Sequence, residues 1–453
     1  MLNKAHEVWK SGAMLRARRV RCRKFTFGDQ WSDTVVMPDG KTMTERQFVR
    51  LGGYNPMTSN VIRSIVKSIV GYFRLNSGDR AVYSSMPPEL KETDARTFEE
   101  FLVSGCAVQR LSRGRADGGA VQISPARFFI DSVADRPELL GVLHDISLSS
   151  LLMRFSHGDK ARAQRLGGMF RRNSDPARMS VSGPSFGCSV NDSLDFLRCG
   201  QPDKCRVVEL WTHECGEQLR CHDPESGRVY FVDTSRERSI RKENRSRRAS
   251  SRPEVKIRWE LCGYWRCRFL MPDGSVVDEY TAETHPFAFR FYPLIDGEIH
   301  SFVEDIIDQQ RTINRLLTLN DRMLAVSAKG VLMFPDNQLS QSMPIEIVQE
   351  NWAAPDGVVL YTSKPGLPGP QQVVSPGAKF GVDHLIDGQL KMLQEVSGVN
   401  GAMRGMDPAS GTTASLYAGQ QRGASVALSD LVGTFDAFLD LRDKMLMDME
   451  ADK

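Results

Sequence analysis

Hydrophobic positions recur at the helical period in some stretches and at every second residue in others, and the switches between the two periods divide the chain. Val61, Ile62, Ile65, Val66, Ile69, Val70 and Phe73 form one apolar stripe, with Arg63, Lys67 and Arg74 off its centre. That spacing predicts an amphipathic helix capped by Thr58 or Ser59. Phe98, Phe101 and Leu102 open a second helix, which Gly105 ends. Ser147 caps a third, carrying Leu151, Leu152 and Phe155. Residues 107–111 and 121–130 alternate as strands. Residues 174–204, rich in Ser, Gly, Asp and Pro, predict a loop or linker.

From residue 205 to 294 the period is two. Val255, Ile257, Trp259 and Leu261 alternate with polar neighbours, and Trp265, Cys267 and Phe269 continue the pattern past Gly263. Met271-Pro272-Asp273-Gly274 is a turn, and Phe287, Phe289 and Phe291 end the series. This predicts an antiparallel β-rich unit. Within it, residues 236–252 carry Arg238, Arg241, Lys242, Arg245, Arg247 and Arg248, broken by Glu237 and Glu243. Such a run reads either as a solvated hairpin loop or as a loop facing DNA or another partner.

The last third changes again. Residues 303–328 contain neither Gly nor Pro and place Ile306, Ile307, Ile313, Leu316, Leu317, Met323 and Leu324 at helical spacing. The helix is about 40 Å long at the α-helical rise. A Pro/Gly-rich segment follows, 329–377, with short strands at 331–334 and 358–361. A second helix, 381–396, has Val382, Leu385, Ile386, Gln389, Leu393 and Val396 on one side. Residues 397–411 form a loop with Gly398, Gly401, Gly405 and Gly411. Thr412 then caps a helix running to the end of the chain through Leu416, Ala424, Leu428, Leu431, Phe435, Phe438, Leu439, Leu446 and Met449. No internal repeat or sustained heptad is visible.

Composition narrows the function classes. With 453 residues, 41% hydrophobic and 25% charged, the chain suits a folded protein of two to four structural units. A net charge of +3 argues against a tight grip on duplex DNA, which draws its affinity from neutralised phosphates. Nine cysteines cannot all pair, which favours a reducing compartment. No apolar signal core opens the chain, and the stretch 61–73 is too short and charged to span a bilayer. These features predict a soluble protein made in a cytoplasm. No nucleotide-binding Gly-x-x-x-x-Gly-Lys loop and no Gly-x-Ser-x-Gly elbow occurs, and His213-Glu214 lacks the second His of a zincin helix. His213, Cys215, Cys221, His222, Cys262 and Cys267 are the best metal candidates. Their spacing lacks the Cys-x2-Cys knuckle, so free cysteines are the plainer reading. Asp305, Asp308 and Asp321 read as a solvated helix face, and Asp135, His144 and Asp145 as structural groups.

The order of elements in the last third resembles the stem–clip–stem–loop succession of tailed-bacteriophage portal proteins, the head-to-tail connectors, especially of the short-tailed podovirus type. Ser397-Gly398-Val399-Asn400-Gly401 closes that succession. Similar stretches lie upstream. They are Trp9 with Arg16, Arg18 and Arg19; Phe27-Gly28-Asp29-Gln30-Trp31; Asn60-Val61-Ile62-Arg63 with Gly71; and Ser104-Gly105. His285-Pro286-Phe287 leading into Asp308-Gln309-Gln310-Arg311-Thr312-Ile313-Asn314 is similar too.

The resemblance implies an α+β portal fold: an N-terminal α/β wing (1–204), a β-rich part of the wing (205–296), stem helix one (297–328), a clip (329–379), stem helix two (380–396), a tunnel loop (397–411) and a wing helix toward a crown (412–453). The crown itself is expected to be absent, minimal or outside this chain. Ile313, Leu316, Leu317, Leu324, Leu385 and Leu393 would line the subunit interface. Asn400, Met403, Arg404, Lys391, Lys364 and Lys329 would face the DNA channel, with a neighbour's carboxylate as the alternative partner of Arg404. The implied assembly is a dodecameric ring at one capsid vertex of the virion. Its partners would be double-stranded DNA, the terminase large subunit, the major capsid protein and scaffold, and tail adaptors. No cofactor, membrane or catalytic residue is implied. Two other readings remain: another virion structural or adaptor protein, and a zinc-dependent nucleic-acid enzyme.

Overall fold

The longest period-two stretches pair with one another. β7 (Lys204–His222) and β9 (Lys256–Leu270) run antiparallel from Val208 opposite Leu270 to His222 opposite Lys256. β6 (Leu139–Ser147) pairs with the first half of β7 and β8 (Val229–Asp233) with its end. β5 (Phe128–Ile130) and β10 (Val276–Ala282) complete a six-stranded sheet of order β10-β9-β7-β6-β5, with β8 off this path on β7. A smaller antiparallel sheet has the order β11 (Phe287–Phe291), β3 (Cys106–Leu111), β4 (Ala120–Gln122). The single strand expected over 121–130 is thus two strands in different sheets. Pro125 lies between them and cannot donate to a ladder.

The structure is a computed structural model and describes residues 1–76, 86–112, 119–132, 136–174, 195–199, 201, 203–329, 331–340, 343–353, 358–366, 368–373, 381–401, 403–404 and 414–451. These form two compact units. One holds Met1–Thr26, Ile65–Glu304 and Gly401–Lys453; the other holds Phe27–Ser64 and Asp305–Asn400. Most of the linker expected at 174–204, together with Asp135, Gly405, Gly411 and Thr412, lies outside the described residues.

In the first unit the helices are α1 (Leu2–Ser11), α2 (Ala13–Thr26), most of α4 (Val61–Asn76), α5 (Pro88–Ser104), α6 (Leu148–Phe155), α7 (Lys160–Ser174), α8 (Glu237–Ala249), α12 (Ala414–Ala427) and α13 (Ser429–Ala451). Its sheets bury Val207, Trp211, Phe269 and Phe287 against Leu151, Phe155, Leu166 and Phe170 of α6 and α7. Ser147 caps α6 as expected, accepting the Ser150 N–H. Phe73, Phe98, Phe101, Phe435 and Phe438 join α4, α5 and α13, with the Phe73 and Phe98 rings 4.6 Å apart. Beside them the fully buried Arg442 guanidinium meets Asp94 at 2.6 and 3.2 Å, and Gln109 donates to the same carboxylate at 3.0 Å. The helix expected from residue 412 to the end divides at Leu428.

The basic run 236–252 corrects the expectation of a loop: Glu237–Ala249 is the helix α8. Ile240 buries against Leu219, Cys221 and Val255. The Asn244 amide donates to the Val255 carbonyl and accepts its N–H, both at 2.8 Å. These tertiary contacts stabilise a segment whose charge pattern alone reads as unfolded.

Candidate assembly and channel surface

The second unit is built around α9 (Phe302–Lys329), of which Asp305 onward belongs to this unit. Gln310 and Asn314 sit one helical turn apart and are both buried. The Gln310 side-chain oxygen accepts the N–H groups of Val61 and Ile62 at 3.0 and 3.2 Å, and its amide donates to the Ser59 carbonyl at 2.5 Å. Asn314 accepts the Ser59 N–H at 3.0 Å and donates to Gln30 at 2.6 Å. Gln30 in turn donates to Asn60, whose side chain accepts the Arg63 N–H. The start of α4 is therefore capped by Asn60 and Gln310, not by the hydroxyl of Thr58 or Ser59. First-turn N–H groups need an acceptor, and a distant helix supplies it. α3 (Glu45–Leu51) is tied in by its first residue: buried Glu45 accepts from Arg311 at 2.7 Å and from Arg315. The stretch 308–314, singled out by resemblance, is the polar clamp of this unit. Amides at i and i+4 within the apolar stripe of the helix were the signal for it.

Beyond the clamp, the apolar stripe of α9 loses its cover. Ile313 is 1% exposed, Leu316 and Leu317 are half-buried, and Leu324 is 62% exposed. α11 (Val382–Ser397) carries two adjacent stripes. Val382 and Leu393 are buried, whereas Leu385, Met392 and Val396 are exposed. At 100° per residue, Leu385, Met392 and Val396 fall within about 40° of one another. Gly398 ends the helix at φ +67, a left-handed position that suits glycine.

The segment between the helices holds a two-stranded ladder, β14 (Val331–Met333) with β15 (Gln371–Val373), and α10 (Ile345–Ala353). The strand expected at 358–361 is reduced to one bridge, Tyr361 opposite Leu339. Met343 and Val348 are buried here, while Met333, Ile345, Ile347, Val358, Leu360 and Tyr361 are exposed. β1 (Thr34–Val36) and β2 (Thr42–Thr44) form a hairpin in the same unit. In the first unit, β12 (Pro293–Ile295) and β13 (Glu298–Ile299) form another.

Lys364 and Lys391 are exposed, and Lys391 projects from α11 away from Leu393. Asn400 is half-buried, as are Met403 and Arg404, and all three make contacts of their own. The Lys329 side chain and residues 402 and 405–413 lie outside the described residues.

The Cys/His group lies on β7 and β9 but does not converge. Among the described residues no group of three His, Cys, Asp or Glu is arranged to hold a metal. His213 packs over Gly263, where an added Cβ would lie 2.7 Å from its ring nitrogen, and against the Trp265 ring. Burial pushes the thiols of Cys221 and Cys267 up, away from the thiolate that binds zinc. His144 and Asp145 are ion-pair members. His144 meets buried Glu209 at 2.8 Å, which Arg110 also contacts, and Asp145 is held by Arg206 and Arg127. No described helix is long and apolar enough to cross a membrane.

No curated protein matches the chain. The family model of the phage P22-like portal proteins matches residues 149–449, a span from α6 to α13 that includes α9, the β14–β15 segment and α11. On this match over most of its length, the chain belongs to the phage P22-like portal protein family, a structural component of the virion.

Proposed function

We propose that this chain is the ring subunit of a portal vertex, a conduit for double-stranded DNA during packaging and ejection. α9 and α11 act as the two stem helices, residues 329–379 as the clip and residues 397–411 as the tunnel loop. The carrying observation is the apolar surface of the second unit. Leu324 on α9, and Leu385, Met392 and Val396 on α11, are exposed apolar positions on the helical stripes of this unit. A head-to-tail contact between identical copies covers such stripes and closes when the rotation per subunit divides a full turn. Twelve copies, as in the family resemblance, is our reading of the stoichiometry.

The clip, with six exposed apolar side chains, suits the docking of the terminase large subunit during packaging and of tail adaptors afterwards. The major capsid protein and scaffold would surround the ring. Lys391, Lys364 and Arg404 are few, so phosphate contacts along the channel stay weak enough for DNA to slide. Lys329, Asn400 and Met403 complete the proposed channel set.

Electron micrographs of the purified protein test this reading: annuli with a central hole are expected. Leu317→Asp should abolish the annuli while the β-sheet circular dichroism persists. A wild-type protein that stays monomeric when concentrated, or normal rings from Leu317→Asp, would refute the stem assignment.

A further inference from the structure

The portal reading makes no use of α8. Residues 236–252 hold eight basic and two acidic side chains, a larger local excess than the net +3 of the whole chain. The helix α8 itself carries six of the basic residues and both acidic ones. Both acids of α8 are spent within it: Glu237 pairs with Arg241 and Glu243 with Arg247. Arg248 pairs with Glu254. Among the described residues no carboxylate pairs with Arg238, Lys242 or Arg245, and all three are exposed.

Their spacing puts them on one ridge. At 100° per residue, Arg238, Lys242 and Arg245 fall within about 60°, opposite Ile240, and they span about 10 Å along the axis. The opposite face is anchored by buried Ile240, by the two Asn244–Val255 hydrogen bonds, and by Arg247 on Asp223 at 2.8 and 3.2 Å. The helix is therefore held in place with like charges stacked three and four residues apart. That arrangement is repulsive until an anion screens it.

We infer that the α8 ridge is a binding site for the phosphate backbone of duplex nucleic acid, independent of base sequence. Three features select this ligand. The exposed residues flanking the ridge, Ser239 and Ser246, are small, so α8 offers no apolar or aromatic anchor to a protein partner. No aromatic residue lies on α8, so there is no stacking platform for a single strand. The only amide, Asn244, is occupied by backbone, so no side chain of the Asn/Gln type remains to read adenine.

The test is fluorescence anisotropy of full-length protein with a short labelled duplex of random sequence, titrated at several salt concentrations. Three phosphate contacts contribute a log–log salt slope of about −2.7, or roughly a 40-fold loss of affinity between about 50 and 200 mM salt. The variant Arg238→Gln/Lys242→Gln/Arg245→Gln should flatten the slope by about that amount and bind at least about tenfold more weakly at low salt. The charge-preserving Arg238→Lys/Arg245→Lys should bind like wild type. Unchanged melting and unchanged oligomeric state of the Gln variant establish that only the ridge is altered, and ring formation is scored separately. Wild-type affinity and slope in the Gln variant would overturn the inference. So would no measurable duplex binding by wild type, or tighter binding of a poly-glutamate peptide than of duplex at equal salt.

Discussion

The exposed stripe of α11 offers the most direct perturbation of assembly, because its residues do little inside the subunit. Leu385 is 56% exposed, and Met392 and Val396 are each 47% exposed. Full burial of such a side chain is worth about 1.5–3 kcal/mol, and roughly half of that is still to be gained at each position. Covering the three is therefore worth roughly 2–4 kcal/mol per interface. We expect Leu385→Gln/Met392→Gln/Val396→Gln to remove it, since Gln keeps nearly the helix propensity of Leu and Met. At about 1.4 kcal/mol per tenfold, each interface weakens by roughly 30- to 1000-fold. Every subunit of a closed ring gives and receives one such contact, so the concentration at half-assembly rises by at least this factor. Sedimentation velocity across a dilution series reads that midpoint, and calorimetry reads the subunit's own stability, which should hardly move. Leu393→Ala is the contrast. That side chain is 1% exposed, and its truncation should destabilise the subunit by about 2–5 kcal/mol. A triple variant that assembles at the wild-type concentration would show that this stripe is not an interface.

Two stability predictions concern the first unit. Arg442→Met strands the buried Asp94 carboxylate and should cost about 3–5 kcal/mol, whereas Arg442→Met/Asp94→Leu should recover most of it; calorimetric melting of both decides, and equal losses would deny the pair its role. Burial among Trp265, Phe287 and Phe289 lowers His285 from 6.5 to about 4. Between these values the unfolded chain binds a proton that the folded one does not. Stability is therefore full above about pH 6.5 and falls toward pH 4, by up to roughly 3 kcal/mol. His285→Leu should flatten that part of the melting profile, and an unchanged slope would contradict it.

The sequence by itself determined the elements whose signal is local. The stripes of α4, α9 and α11, the alternation of β9 and β11, and the Ser147 cap each follow from side chains within one or two turns of each other. What only the tertiary structure decided depends on partners distant in the chain. Gln310 caps a helix that begins some 250 positions earlier in sequence, and residues 27–64 join the unit of 305–400 rather than their sequence neighbours. α8 is helical because Ile240, Asn244 and Arg247 find Val255, Leu219 and Asp223, whereas its charge run by itself favours a solvated chain. Periodicity states that a helix has an apolar side. It does not state whether the same chain covers that side, as at Leu393, or leaves it bare, as at Leu385, because burial is a property of the surfaces that meet and not of the segment that carries them.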